Sequence, residues 1–294
     1  MYTTNTQFYG GKVIKSLLKT TLLLGLMTGL FIAAGYMLAG RSGALIALAF
    51  AAVLNIGMYW FSGSIVLKMQ KAKPLDTKKY PQIESMVREI TMRDQMPMPK
   101  LYYVDTPIPN AFATGRSPKH AVVAVTSGIL EILNDAELRA VLAHEIGHVK
   151  NYDMLISTVA ATIGGAISIL AEMAFWGGAL FGGNDEEGGN PVGAIAAMIL
   201  APLAAVMIQM AVSRSREYGA DAHSREVLGQ GEDLVSALSK LEEFKPALAK
   251  MKPSPNQEAT AHLMFINLFN MRGLASLFAT HPSTADRIKR LRSL

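Results

Sequence analysis

The chain has 294 residues, of which 50% are hydrophobic and 17% are charged, and its formal net charge is +5. Soluble domains average about a quarter charged residues, so this composition is tilted toward membrane proteins. The absence of cysteine excludes disulfides and thiolate metal ligands, and it agrees with a reducing cytosol. Because lysines beside apolar segments account for most of the positive charge, no nucleic-acid partner is predicted.

The first predicted elements are two membrane-spanning helices. Thr20 to Ala39 and Ser42 to Leu67 contain no charged residue, and each reaches the about 20 apolar residues that cross a bilayer core. Lysines precede the first span and follow the second, whereas the connector offers only Arg41. Since positive charge marks the cytoplasmic side, residues 1–70 are predicted to form a transmembrane hairpin with both ends in the cytoplasm. The lysines either contact anionic lipid headgroups or act only as a topology signal.

Residues 71–153 are predicted to contain a helix, a small sheet and a second helix. Apolar residues recur every three or four positions from Tyr80 to Gln95, which predicts an amphipathic helix. Asn134 and Glu137 match a capping box at the start of the second helix. Between the helices, Pro and Gly separate three short β-rich runs: Lys100 to Asp105, around Ala111 to Gly115, and His120 to Val125.

The second helix carries the motif His144-Glu145-Ile146-Gly147-His148. Four residues make about one helical turn, so His144 and His148 point the same way and can share one metal ion, with Glu145 beside it. This is the H-E-x-x-H spacing of zinc hydrolases. The motif predicts one Zn²⁺ per chain, and it predicts that Glu145 is the catalytic base acting on metal-bound water.

Residues 154–213 are predicted to hold two further membrane helices. Met154 to Gly183 is apolar except for one glutamate, and Pro191 to Ser213 contains no charge. The connector over residues 184–190 is acidic, and Arg214 follows the last span, so the charges predict the same orientation as the hairpin. Whether Met154 to Gly183 crosses the bilayer or folds back over the site stays open. The sequence therefore predicts up to four transmembrane helices.

Residues 214–294 are predicted to form a C-terminal helical part that supplies the third zinc ligand. A catalytic zinc usually takes three protein ligands and leaves one position for water. Glu217 and Asp221 lie one helical turn apart. This spacing lets Glu217 ligate the metal while Asp221 accepts a hydrogen bond from a ligating histidine. Taken alone, such a carboxylate pair is more often a solvated helix face.

These motifs together resemble the HtpX group of membrane zinc peptidases, which are relatives of the CAAX prenyl proteases. The resemblance covers nearly the whole chain, and it rests on the paired N-terminal spans and on four segments: 110–115, 137–148, 213–221, and His281-Pro282 with Arg287-Ile288. It implies an α+β, mainly helical fold, in which a gluzincin-type metallopeptidase domain with a small β-sheet is embedded in the membrane.

The resemblance also implies an activity and a location. It implies a zinc endopeptidase that acts on damaged or misfolded membrane proteins and other unfolded polypeptides, in membrane protein quality control. The enzyme is expected to cross the bacterial inner membrane several times, with its active site facing the cytoplasm.

Two further roles are assigned to candidates. The developing oxyanion needs a donor beside the metal, and His281, Arg287 and Tyr218 are the candidates. An extended substrate can pair by main-chain hydrogen bonds with the segment Asn110, Ala111, Phe112 and Ala113. The alternative is a turn and strand that need these residues for backbone reasons alone.

Functions of other classes compete with this interpretation. A catalytically silent zinc-binding membrane scaffold or adaptor would keep zinc for structure, but structural zinc normally has four protein ligands, typically cysteines. A transporter would show paired membrane segments interrupted by Gly or Pro, and no such pair is apparent. The sequence favours the peptidase.

Overall fold

A computed structural model describes residues 5–159, 214–248 and 282–294 of the chain. Three sequence predictions fall outside these ranges. They are the span Pro191 to Ser213 with the acidic connector before it, most of the span Met154 to Gly183, and the role of His281. Residues 153–159, at the start of the span Met154 to Gly183, are helical.

The N-terminal hairpin is present as a broken helix, α1 (Asn5–Met69), whose backbone leaves helical geometry at Ala39 and Gly40. Gly40 has φ +58°, which glycine adopts without steric cost. The two arms run antiparallel, because Asn55 of the second arm donates a hydrogen bond to Thr28 Oγ1 of the first at 2.9 Å. The break lies between the two predicted spans.

The second arm has the properties of a membrane span. Over Ala39–Met69 it has 31 residues and a mean hydropathy of 1.9, and only 11% of its most apolar window is buried. Within the described ranges it is the one helix that is both long and apolar enough to cross a membrane. The predicted span Ser42 to Leu67 lies inside it, whereas the number of four spans stays a prediction.

A four-stranded mixed sheet follows the hairpin. Its strands are β1 (Lys73–Pro74), β2 (Lys100–Val104), β3 (Ala111–Thr114) and β4 (Val122–Thr126), in the order β1-β2-β4-β3. β2 and β4 are parallel, and the other two pairs are antiparallel. The three predicted strands are confirmed, and the arrangement leaves β3 at an edge of the sheet.

Besides the helical residues 153–159 and the 3₁₀ helix Pro118–His120, six helices lie in the described part outside the membrane arm. They are α2 (Pro81–Arg93), α3 (Ser127–Ile132), α4 (Asp135–Lys150), α5 (Arg214–Leu228), α6 (Glu232–Leu248) and α7 (Thr284–Ser293). The predicted capping box at α4 is confirmed, since Asn134 and Glu137 each accept a hydrogen bond from the other's backbone N–H at 2.9 Å. Satisfying these orphan donors fixes where the motif helix begins.

Helix α4 lies at the centre of the hydrophobic core. Its Leu142, Ala143 and Ile146 are fully buried, and the core around it includes residues of α2, the sheet, α6 and α7. Most of the other α4 residues are buried too, including His144 and Glu145 of the motif. The H-E-x-x-H motif is therefore held on a rigid, buried element.

Candidate metal centre

His144 and His148 lie on one face of α4, as their spacing predicts. Their Nε2 atoms are 3.1 Å apart. Glu217 reaches them from α5, with its carboxylate oxygens 3.7 Å from Nε2 of His144 and 3.6 Å from Nε2 of His148. One ligand atom from each residue falls within a group no more than 4.8 Å across.

A carboxylate orients each of the two histidines. Nδ1 of His144 is 2.9 Å from Asp221, and Nδ1 of His148 is 3.2 Å from Asp153. A carboxylate accepts, so each Nδ1 carries a proton, and the two Nε2 atoms face each other. At 3.1 Å these two nitrogens need a positive charge between them, either a proton shared by the rings or a metal ion.

The donor set fits zinc. Tetrahedral Zn²⁺ with nitrogen ligands at about 2.0–2.1 Å places neighbouring ligand atoms about 3.3 Å apart. The observed separations of 3.1 to 3.7 Å bracket that value. In the described ranges the group consists of these three side chains, which leaves a fourth position for water.

Glu145 is buried beside the cluster, with 5% of its surface exposed. Burial raises the pKa of Glu145 to about 7, and the nearby charge of Glu217 acts in the same direction. Its Oε2 accepts a hydrogen bond from the backbone N–H of Ala113 at 2.9 Å. A carboxyl group poised near neutral pH can take up and release a proton under working conditions.

The two imidazoles differ in how they hold protons. Burial lowers the pKa of His144 to about 4. Against the effect of burial, the hydrogen bond to Asp153 and the charge of Glu217 raise the pKa of His148 to about 9. Without a cation the cluster therefore keeps one positive charge, on His148, and a divalent ion would take the place of that proton.

Arg287 reaches the centre from α7, but its shortest bonds are to Asp221. Nε and Nη2 of Arg287 donate to the two carboxylate oxygens of Asp221 at 2.9 and 2.6 Å, and Nη1 lies 3.8 Å from Glu217. Against the effect of burial, the charge of Arg287 lowers the pKa of Asp221. Arg287 therefore holds Asp221 in place, and its predicted oxyanion contact stays a prediction.

The other predicted residues lie at different distances from the cluster. Tyr218 is on α5 next to Glu217, and its ring lies 4.8 Å below the guanidinium of Arg290. Ala111, Phe112 and Ala113 form most of edge strand β3. Asn110 precedes that strand and exchanges hydrogen bonds with Thr126 of β4.

Asp153 is the functional residue that the sequence analysis missed. It lies five positions after His148, beyond the end of α4, where Tyr152 adopts φ +60°. That turn brings the carboxylate back to the last histidine of the helix. The available signal was an acidic residue five positions after the motif, which is weak without knowledge of the conformation of the turn at 151–152.

Comparison with known proteins decides the family. Residues 77–294 match the model of peptidase family M48. The chain belongs to peptidase family M48. A protein of Persephonella marina named "Protease HtpX homolog" is 52% identical over 276 residues, which cover 93% of this chain and 96% of that protein. A protein of Ralstonia pickettii with the same name is 48% identical over 276 residues, 93% of this chain and 95% of that protein.

The crystal structure of S. mikatae Ste24p aligns with 96% of this chain and 66% of that chain, with a TM-score of 0.48 and 19% identity. The family match covers both α4 and α5, so this M48 chain is a metallopeptidase, as its motif predicted.

Proposed function

We propose that this M48 peptidase is a zinc-dependent endopeptidase of the bacterial inner membrane. It cleaves damaged or misfolded membrane proteins, and other unfolded polypeptides, on the cytoplasmic side. The observation that carries the proposal is the convergence of His144, His148 and Glu217 on one point, with buried Glu145 beside it. A bound Zn²⁺ would acidify a water molecule and polarise the scissile carbonyl.

The chain's own residues supply the proton transfers. Glu145 takes the proton of the attacking water and delivers it to the leaving amine, a role that typically contributes about 10²- to 10⁴-fold. Asp221 and Asp153 hold the histidine rings in one tautomer, so that both Nε2 atoms stay available as ligands. Arg287 holds Asp221 in turn.

Strand β3 supports binding of an extended substrate. It is an edge strand, so its outer side can pair with another backbone. The N–H of Ala113 points toward Glu145 rather than toward β4, which places that outer side next to the base. Main-chain pairing reads shape more than sequence, and this suits substrates that are recognised because they are unfolded.

The organisation that goes with this function has four parts. They are the transmembrane hairpin (1–70), the segment with the sheet and motif helix (71–153), the second membrane pair (154–213) and the C-terminal part with the third ligand (214–294). A structural zinc normally has four protein ligands, whereas a catalytic zinc has three and an open position. The three candidate ligands and the buried base therefore favour a peptidase over a catalytically silent scaffold.

Replacement of the base tests the proposal. The purified full-length Glu145→Gln variant is expected to keep its zinc and its fold, while cleavage of casein and of an unfolded membrane protein falls by about 10²- to 10⁴-fold. Glu131→Gln, at an exposed position on α3, is the matched control and should cleave normally. Undiminished cleavage by Glu145→Gln would remove the proposed base.

A further inference from the structure

The second arm of α1 is longer than the bilayer is thick. Its 31 residues extend about 46 Å at 1.5 Å per residue, whereas the hydrocarbon core measures about 30 Å. Counted from the break at Gly40, about 20 residues fill the core, so the arm leaves it near Tyr59 and Trp60. Both rings are exposed, by 40% and 53%, and Trp and Tyr are the residues enriched at membrane–water interfaces.

Beyond Trp60 the arm packs on the sheet. Val66 is fully buried against Val104, Phe112 and Ala124. At Gly63 the backbone comes so near the loop after β3 that an added Cβ would lie 3.3 Å from Cα of Gly115. The loop over residues 115–120 is therefore held against the arm at the depth of the lipid headgroups.

A cavity of about 360 Å³ opens between the arm, this loop and the end of the sheet. The aromatic residues Tyr59, Trp60 and Tyr102 form part of its lining. Its charged lining residues are all basic, namely Lys100, Arg116 and Lys119. In the described part of the chain, none of these three cations is paired with a carboxylate.

Arg116 is already positioned within this cavity. Its guanidinium lies 4.2 Å from the ring centroid of Trp60. A cation–π contact holds the guanidinium plane while leaving its N–H groups able to donate to an anion. Three unpaired cations around one cavity repel each other, and an anion between them removes that repulsion.

We propose that this cavity binds the phosphate group of an anionic phospholipid from the cytoplasmic leaflet. Phosphate is the anion that Arg and Lys recognise at membrane surfaces. The lipid is favoured over a soluble phosphate ester because Val53, Ile56 and Trp60 lie three and four residues apart on the same arm and are all exposed. They form an apolar strip on which acyl chains can lie below a headgroup in the cavity.

The inference does not rest on catalysis, so it is tested by binding. The full-length protein in detergent is titrated with phosphatidylglycerol, phosphatidylcholine or inorganic phosphate, and bound lipid is counted by native mass spectrometry. We expect phosphatidylglycerol to remain bound. The double variant Arg116→Gln/Lys119→Gln should bind it about thirtyfold more weakly, which is the effect of two lost charges at an anionic surface.

The matched control removes two charges elsewhere on the same side of the molecule. Lys78→Gln/Lys79→Gln alters exposed lysines that follow the arm but do not line the cavity, and it should bind phosphatidylglycerol like wild type. If both double variants lost phosphatidylglycerol binding equally, the lipid would be attracted by the overall positive charge, and the proposed site would be wrong. Equal binding of phosphatidylcholine, or displacement of the lipid by inorganic phosphate alone, would overturn the lipid assignment.

If loss of the Arg116–Trp60 contact unfolds the chain, the double variant Lys100→Gln/Lys119→Gln provides the same test, because both of these side chains are exposed.

Discussion

At the residue scale, the metal centre depends on side chains that bind no metal themselves. His144 and His148 come from one helix, but their carboxylate partners come from two different places in the chain. Asp221 lies on α5, and Asp153 begins the helical stretch that follows the turn after α4. Each carboxylate keeps one imidazole in the tautomer that leaves Nε2 free, so loss of either weakens the cluster.

Asp153→Asn tests that statement for the residue which the motif does not contain. We expect zinc affinity to fall about 10- to 100-fold while the fold is kept, because the amide no longer fixes the proton of His148 on Nδ1. Competition with a chromophoric chelator measures the affinity without reference to catalysis. Asp105→Asn, at an exposed position after β2, should leave it unchanged. Wild-type zinc affinity in Asp153→Asn would mean that the carboxylate has no orienting role.

The local part of the site was predictable from the sequence, and the distant part was not. The spacing of His144 and His148 is a property of one helix, and Glu217 with Asp221 is a property of another. The contact between Arg287 and Asp221 joins residues 66 positions apart, and no local pattern encodes it. The same holds for the bond from Ala113 to Glu145, which depends on how β3 meets α4.

At the element scale, the packing of α5 on α4 sets the distance of Glu217 from His144 and His148. His223 of α5 donates from Nδ1 to the carbonyl oxygen of Ala143 at 3.0 Å, and its Nε2 lies 2.7 Å from the carboxylate of Asp94. These two contacts tie α4, α5 and the end of α2 together.

Gly147 makes this close packing possible. A Cβ at this position would lie 3.0 to 3.1 Å from Nδ1, Cβ and Cγ of His223, so Gly147→Ala requires His223 and its helix to shift by a few tenths of an ångström. We expect a loss of about 1–3 kcal/mol in the free energy of unfolding, together with weaker zinc binding as Glu217 moves outward. Thermal unfolding and chelator competition measure the two effects.

The control for this prediction is a glycine of the partner helix. At Gly219 of α5 an added Cβ would only reach an ordinary contact, 3.9 Å from Nδ2 of Asn151. Gly219→Ala should therefore be neutral or stabilise the protein by up to about 1 kcal/mol, since alanine favours the helix. Equal destabilisation by both substitutions would show that the tight packing at Gly147 is not the cause.

At the scale of the whole molecule, element types followed from the sequence more readily than their arrangement. Periodicity, a capping box and turn residues predicted α2, α4 and three of the four strands. The sheet order was not predictable, because β2 pairs with β4 in parallel while β3, between them in sequence, lies outside. Nearest neighbours along the chain need not pair, and only the packing against α4 and the membrane arm selects this order.

The absence of cysteine makes the predicted orientation directly testable. In intact bacterial cells whose outer membrane has been made permeable, a membrane-impermeant maleimide should label Arg41→Cys, at the exposed hairpin break. It should label Lys78→Cys only after the inner membrane is opened, because the lysines after the second span predict a cytoplasmic location. Labelling in the opposite pattern would reverse the topology and place the metal centre on the other side.

The most direct test of the account is the zinc content of the purified full-length chain, measured for the wild type and for Glu217→Ala. The account predicts one zinc per wild-type chain and a much lower content in the variant, because a carboxylate from α5 completes the ligand set of His144 and His148. A wild-type chain without zinc, or full zinc retention after Glu217→Ala, would contradict it.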